Sequence, residues 1–495
     1  MSTSPYPHKP HKLPHTLTDS VHEYWQSLMT YIGRVVSTPQ LLFLWLSLVF
    51  GLICVFVMPP FHTADEHDHF FRSYQLSSGE LVAQKQNDQT GGYLPTNAIL
   101  LTDIVQGDIS PEQKGPQTVA DVTSLFAIPL NSGNQAFVDF RNTALFSPIP
   151  YVPQATAIGL GRIFNLPPLT LMYMARILTL VVATMVMYYA IRITPIVKWV
   201  LVLLALTPML LVKRASLSVD ALTNSFSMLL IAMFLYYAFD ERATLSRKAI
   251  IGLVIVGVLV ALSKQAYIAI VALYFLIPRQ KVGGWFTYLG FFVALVTICA
   301  ATSLGWSVIS QNSYTPVEAR NTTSTSTEVQ FDTRAQLGFV LTNPLMFTRI
   351  VVEHLITLGP AHFVYATGAL GWRTRMPLWF IGLYGLVIVG VALLNRRDSV
   401  ALSRWQRSVI GATGVGNVVL IIAAGYLMWN AVGATEVQGI HGRYFTPLAP
   451  VFTLLLLNQR WHLGKWQPYL QSFIVSFLLI TMVFTVGVLV QSYWV

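Results

Sequence analysis

Residues 41–72 read LLFLWLSLVFGLICVFVMPPFHTADEHDHFFR, and this stretch decides the fold class. Positions 41–58 carry no charge. They come close to the roughly 20 apolar residues that a helix needs to cross a bilayer. Pro59-Pro60 end the run, and ionisable side chains from His62 to Arg72 follow at once. Charge beside hydrocarbon is costly, so such a cluster is a functional hint by default.

The same alternation continues outward. Apolar runs predict eleven spans, near 41–58, 170–191, 196–212, 220–239, 249–263, 266–277, 285–303, 376–394, 408–428, 444–457 and 471–490. The stretch 338–358 carries Asn343-Pro344, Arg349 and Glu353 and reads as interfacial or re-entrant. Over 495 residues, 54% are hydrophobic and only 11% charged. An ordinary soluble domain has roughly 25% charged residues, so a soluble globular enzyme is excluded, and a disordered or fibrous chain more firmly. Cys54 and Cys299 both lie in apolar runs and predict neither a disulfide framework nor a thiolate metal site. About 40 polar and proline-containing residues precede the first span, which is unlike a cleavable signal. No repeat, heptad or soluble domain is visible. The reading is an all-α integral membrane protein: a tail over 1–40, the first span at 41–58, a loop over 59–168, spans two to seven within 169–303, a loop over 304–375, and spans eight to eleven within 376–495.

Charge orients the spans. The net charge of +10 would hint at nucleic acid in a soluble protein, but here its distribution is topological. The loops Arg192–Lys198, Arg242–Lys248, Arg279–Lys281, Arg396–Arg407 and Arg460–Lys465 all fall on the side of the N-terminus if eleven spans alternate. That side is expected to be cytoplasmic. Segment 59–147, expected outside, holds ten acids and four bases, which leaves +16 on the rest of the chain. The run Phe146–Phe164, rich in proline and glycine, reads as a helix on or dipping into the outer leaflet.

This topology puts four polar motifs at the outer boundary: Asp65–Arg72, Lys213–Asp220, Ser263–Tyr267 and Gln438–Phe445. At 100° per residue, Asp65, Asp68, His69 and Arg72 share one helical face, opposite Phe70, Phe71 and Tyr74. That pattern predicts an amphipathic helix in the interface, apolar side down, stopped by Gly79. Glu66 and His69 are the candidates for holding a divalent ion (Mg²⁺, Mn²⁺ or Zn²⁺), although their spacing matches no defined metal motif. Lys213, Arg214, Lys264, Arg373, Arg375 and Arg443 stand where positive charge is otherwise avoided. Arginine forks and lysine point charges suit phosphate oxygens, whereas the plainer alternative is snorkelling to lipid headgroups.

At these residues the sequence resembles the bacterial polytopic membrane family known as domain of unknown function twenty-one forty-two. The resemblance rests on Pro59-Pro60, Asp65-Glu66, His69, Arg72 and Gly79, then Ser147-Pro148 and Tyr151-Val152-Pro153-Gln154. It continues in Ser216, Ser218 and Asp220-Ala221, Ser263-Lys264 and Tyr267, and Gly442-Arg443-Tyr444-Phe445 with Pro447. Two positions depart from it: His441 stands where glutamine is usual, and Gln265 where proline is common. The family is grouped by similarity with glycosyltransferases of the GT-C fold, which take a sugar from a polyprenyl-phosphate carrier outside the membrane. The resemblance implies Asp65 as catalytic base and a functional acid at Asp220. The chemistry assigns Glu66 and His69 to positioning and Lys264 and Arg443 to clamping the donor phosphate. Arg72, Lys213, Arg214 and Tyr444 are further phosphate candidates. The expected partners are a polyprenyl-phosphate-linked sugar, an envelope glycan acceptor and the bilayer, with no nucleic acid. A flippase of lipid-linked glycan and a non-catalytic assembly scaffold are the alternatives.

Overall fold

The computed structural model describes residues 17–107, 115–313, 332–394, 400–457, 461 and 463–495. The His8, His11 and His15 tail, Asn321 and parts of the loops at 395–399 and 458–462 lie outside these residues.

The chain is mostly helical. It runs α1 (Leu17–Ser37), α2 (Pro39–Val57), α3 (Glu66–Ser77), β1 (Gln84–Gln86), β2 (Gln89–Pro95), α4 (Thr96–Gln106), α5 (Val119–Ser124), β3 (Gln135–Asp139), α6 (Arg141–Ala144) and α7 (Val152–Ile163). Then come α8 (Pro168–Ile193), α9 (Lys198–Ala205), α10 (Pro208–Arg214), α11 (Val219–Phe239), α12 (Arg247–Ser263) and α13 (Trp285–Ser310). The last part holds α14 (Thr333–Thr342), α15 (Pro344–Gly368), α16 (Leu378–Leu394), α17 (Arg404–Trp429), α18 (Ala449–Leu455) and α19 (Tyr469–Tyr493).

Among the described residues, six helices are long and apolar enough to cross a membrane: α2, α8, α11, α13 with the turn after it, α17 and α19. A seventh span exists if α14 and α15, bent by 103° at Asn343-Pro344, count as one. The bend agrees with the interfacial or re-entrant reading of 338–358. The other five apolar runs form shorter or broken helices, for identifiable reasons. Pro208 forbids helical backbone at Thr207, so the run 196–212 splits into α9 and α10. Run 249–277 breaks at Lys264, which is extended at φ −155° and ψ 124°, and continues as a 3₁₀ helix, Gln265–Leu276. Pro447 lies inside the 3₁₀ helix Gly442–Leu448, which leads directly into α18. Two of the site residues described below, Lys264 and Arg443, lie at these interruptions.

α11 is the most enclosed candidate span, with 78% of its apolar window buried against 17% for α13. α2 packs on α8 at Gly51, where a Cβ would meet Leu180 Cδ1 at 2.5 Å, and Ser47 bonds Thr184 across the same contact at 2.8 Å. Ser218 caps α11 by accepting from the Asp220 amide at 3.1 Å.

Segment 59–147 contains an antiparallel sheet of order β1-β2-β3, an addition to the all-α reading. Gly91 is required there, because a Cβ would overlap Val138 O.

The expectation for α3 is corrected. It is not a surface helix with a wet polar face: Glu66, Asp68, His69, Phe70, Phe71, Arg72 and Tyr74 are all buried. The polar face is covered by protein that bonds most of its groups. Arg72 donates to Gln75 Oε1 (2.6 Å), Leu81 O (2.8 Å) and Phe146 O (3.1 Å). Ser73 donates to Gln154 Oε1 at 2.7 Å, and Gln154 passes the contact to Ser218 O at 3.2 Å. Gly79, at φ +86°, follows the end of the helix as expected.

Candidate functional site

α3 begins from a left-handed residue. Asp65 has φ 61° and ψ 16°, a conformation uncommon outside glycine and enriched for Asp and Asn. An aspartate before a helix usually caps it by accepting from the first turn. Asp65 makes no such bond. Its carboxylate instead accepts from Arg443 Nη2 at 2.7 Å. Backbone held in a sparse region by its surroundings is characteristic of functional sites.

From this pair a chain of alternating charge runs through the four motifs. Arg443 Nε lies 3.5 Å from Asp220 Oδ2, within ion-pair range but without a hydrogen bond. Asp220 Oδ1 accepts from Lys264 Nζ at 2.7 Å. Lys264 Nζ lies 4.3 Å from the centre of the Tyr444 ring and 6.0 Å from that of Phe146, and the Arg443 guanidinium lies 5.5 Å from the Tyr444 ring. Tyr444 is thus a π-face shared by both cations.

Polar links fix the register of the chain. Thr446 Oγ1 bonds Asn224 Oδ1 (2.7 Å) and Arg443 O (2.8 Å), while Asn224 Nδ2 donates to Asp220 O (2.8 Å). Tyr267 OH donates to Tyr444 O at 2.8 Å. Gly442 is needed because a Cβ would meet His362 O at 2.2 Å and Ala366 N at 2.9 Å, both backbone atoms of α15.

Lys213 completes the cluster. It is only 7% exposed, and its ammonium has no hydrogen-bond partner. The charges that act on it include Arg443, Asp220, Asp65 and Glu66. Buried ammonium groups are ordinarily paired, because burying one alone is expensive. The cluster of Asp65, Asp220, Lys213, Lys264 and Arg443 therefore has one positive charge in excess and two donors without a hydrogen bond, Lys213 Nζ and Arg443 Nε, the local chemistry of an anion site.

Asp65 is the most open member, its side chain 27% exposed against 6% for Asp220. Burial pushes its carboxyl up, but Arg443, with His69 and Lys213, outweighs this and holds it at about 2. His69 is buried and driven down to about 3, so it is neutral, and its Nδ1 lies 2.9 Å from Tyr151 OH. His441 is held at about 4, chiefly by burial and then by Arg443. Asp68 is pushed up by burial and is held by Asn142 at 2.9 Å and His67 at 3.2 Å.

Three predicted site residues lie apart from the cluster. Glu66 is fully buried in a fork with Arg176, at 2.8 and 2.7 Å, and also accepts from Leu217 N at 3.0 Å. Arg176 further ties Val55 O, Met58 O and Pro59 O, so the pair fastens the start of α3 to α2 and α8. Arg72 is spent on the contacts described above. Arg214 points to Ala205 O (2.7 Å) and the Phe43 ring (5.4 Å). Nor do Glu66 and His69 fit a metal: Glu66 is saturated, His69 is engaged with Tyr151, and among the described residues no three His, Cys, Asp or Glu groups could hold an ion. Arg176, Asn224 and Thr446 escaped the sequence reading of the site, and Tyr267 was named in its motif without a role. Arg176 did carry a signal, as an arginine within an apolar run.

These features define a polytopic helical membrane protein with a buried charge cluster where its helices break. The family model described as predicted membrane protein (DUF2142) matches residues 48–452, and the chain belongs to that family. No curated protein and no solved structure matches it.

Proposed function

We propose that the protein is a membrane glycosyltransferase of the GT-C type. It would transfer a sugar from a polyprenyl-phosphate donor to an envelope glycan acceptor, on the extracytoplasmic face of the bacterial inner membrane. Its N-terminus is then cytoplasmic, and the shorter apolar helices complete an eleven-span bundle. The observation that carries the reading is the cluster of Asp65, Arg443, Asp220, Lys264 and Lys213, in which the most accessible carboxylate adjoins an unsatisfied ammonium.

The reaction needs a base for the acceptor hydroxyl and fixed positive charge for the leaving phosphate. Asp65 supplies the base in a single displacement that inverts the anomeric carbon. While paired with Arg443 it is a weak base, because its carboxyl sits at about 2. A donor phosphate at Lys213 competes for Arg443 and Lys264. As Arg443 turns to the phosphate, Asp65 loses its partner and its basicity rises. The charge pairs are in this sense a latch that the donor opens. Asp220 holds both cations between turnovers, and Tyr444 supports them from below.

The test is to supply purified full-length protein with polyprenyl-phosphate sugars and an acceptor glycan and to measure free polyprenyl phosphate. Its release supports the transferase. Movement of the donor between leaflets with no cleavage would replace it with a flippase.

A further inference from the structure

A cavity of about 480 Å³ lies among α8, α10, α11, α15, α16, α18 and the 3₁₀ helix Gly442–Leu448. Its wall is almost wholly apolar, in keeping with sites for hydrocarbon. Two features set it apart from a packing defect. Its polar end is made by Asn224, Thr446 and His362, so it meets the charge cluster through the groups that hold Asp220 and Arg443 in register. Val389 and Phe452, also in the wall, are 40% and 38% exposed. The cavity therefore opens sideways, where bilayer chains lie, and ends inward beside the cluster that contains the unpartnered Lys213 ammonium.

An apolar channel that opens to lipid and ends beside an unsatisfied cation matches one kind of molecule, an amphiphile with a long hydrocarbon chain and an anionic head. We infer that this cavity holds the first part of the prenyl chain of a polyprenyl phosphate whose phosphate sits at Lys213, and that the lipid enters between α16 and α18. The inference rests on the reading of the charge cluster as a phosphate site. It adds where the chain lies, by which route it comes, and that residues remote from the charges select for chain length. Phe445 and Thr446 line the cavity while Arg443 precedes them on the same 3₁₀ turn. An occupant of the cavity thus presses on the segment that carries the Asp65 partner.

Gly359 provides the test. It lines the cavity, and a Cβ added there meets nothing within 4 Å. Gly359→Phe should fill the space without touching the charges, and Gly359→Ala should leave it open. Binding of a long-chain polyprenyl monophosphate, isopentenyl phosphate and the phosphate-free polyprenol is measured on the full chain in nanodiscs. The wild type should prefer the long-chain phosphate to both others. Gly359→Phe should weaken that ligand by roughly tenfold or more, since two displaced methylene contacts suffice for this, and leave isopentenyl phosphate unchanged. Lys213→Gln should weaken both phosphates. Wild-type binding of isopentenyl phosphate with no effect of Gly359→Phe on the long-chain ligand would overturn the chain assignment and leave the phosphate site standing. Binding of neither phosphate would remove the phosphate site and this inference with it. Equal binding of polyprenol and polyprenyl phosphate, or full displacement by bulk phospholipid, would also overturn it. A photoreactive group on the prenyl chain gives a readout independent of any variant: labels should fall on 355–367, 385–389 and 449–456, and labels confined to α13 would contradict the inference.

Discussion

Arg443 reaches Asp65 at 2.7 Å across 378 residues of chain, joining a turn beside the first span to a 3₁₀ helix near the last. Asp65 makes this bond instead of capping α3, from a left-handed backbone at φ 61°. Its consequences can be measured.

The ion pair makes stability depend on pH in a known direction. The Asp65 carboxyl is depressed from 3.8 to about 2 in the folded chain. A depressed acid contributes stability above its unfolded value and loses it as pH falls toward the folded one. The stability gap between wild type and Asp65→Asn should be full above pH about 4 and close progressively toward pH about 2. In Arg443→Gln burial is no longer offset by Arg443, and the Asp65 carboxyl should move upward. Thermal unfolding in detergent across this window checks both.

Lys213 should behave opposite to an ordinary buried lysine. Its ammonium has no hydrogen-bond partner to lose. Lys213→Met should leave thermal stability unchanged or raise it, while donor affinity falls at least tenfold. A large loss of stability would mean that the ammonium is already satisfied in the folded protein.

Glu66 and Arg176 should matter for folding rather than turnover. Both side chains are fully buried, and removing one partner of such a pair costs about 3–5 kcal/mol. Arg176→Met alone should sharply reduce the yield of monodisperse protein. Adding Glu66→Gln should recover part of it, as the lone buried carboxylate disappears.

Gly442→Ala should disturb the site although it touches no charge. The new methyl would press on the backbone of α15 at His362 and Ala366, which cannot rotate away as a side chain can. Activity should drop by more than tenfold with a modest loss of melting temperature.

Much of this was legible from residues in order. The charge-free run 41–58 announced a span, and α2 occupies it. The four motifs named from sequence did supply Asp65, Lys213, Asp220, Lys264 and Arg443, since ionisable groups beside apolar runs stand out. What the sequence could not show is which cations are already paired. Lys264 and Arg443 looked like free phosphate clamps, but both are bound to carboxylates. Arg72 and Arg214 looked equivalent to them, but they bond groups away from the cluster: Gln75, Leu81 O and Phe146 O for Arg72, and Ala205 O for Arg214. Helical periodicity grouped Asp68, His69 and Arg72 on one face of α3, whereas Asp65 precedes the helix in a left-handed conformation. Periodicity could not reveal that Phe146, Tyr151, Asn142 and Gln154, all from later in the chain, cover that face. Hydropathy does not register the breaks at Thr207-Pro208 and Lys264, so five of the eleven apolar runs form helices shorter or more broken than the runs suggest.

The central claim, that Asp65 is the base of a glycosyl transfer, is tested most directly by release of polyprenyl phosphate from wild type and Asp65→Asn under identical conditions. The account predicts turnover by the wild type and a loss of about 10²–10⁴-fold in the variant with its fold retained. An Asp65→Asn protein that turns over at the wild-type rate would contradict it.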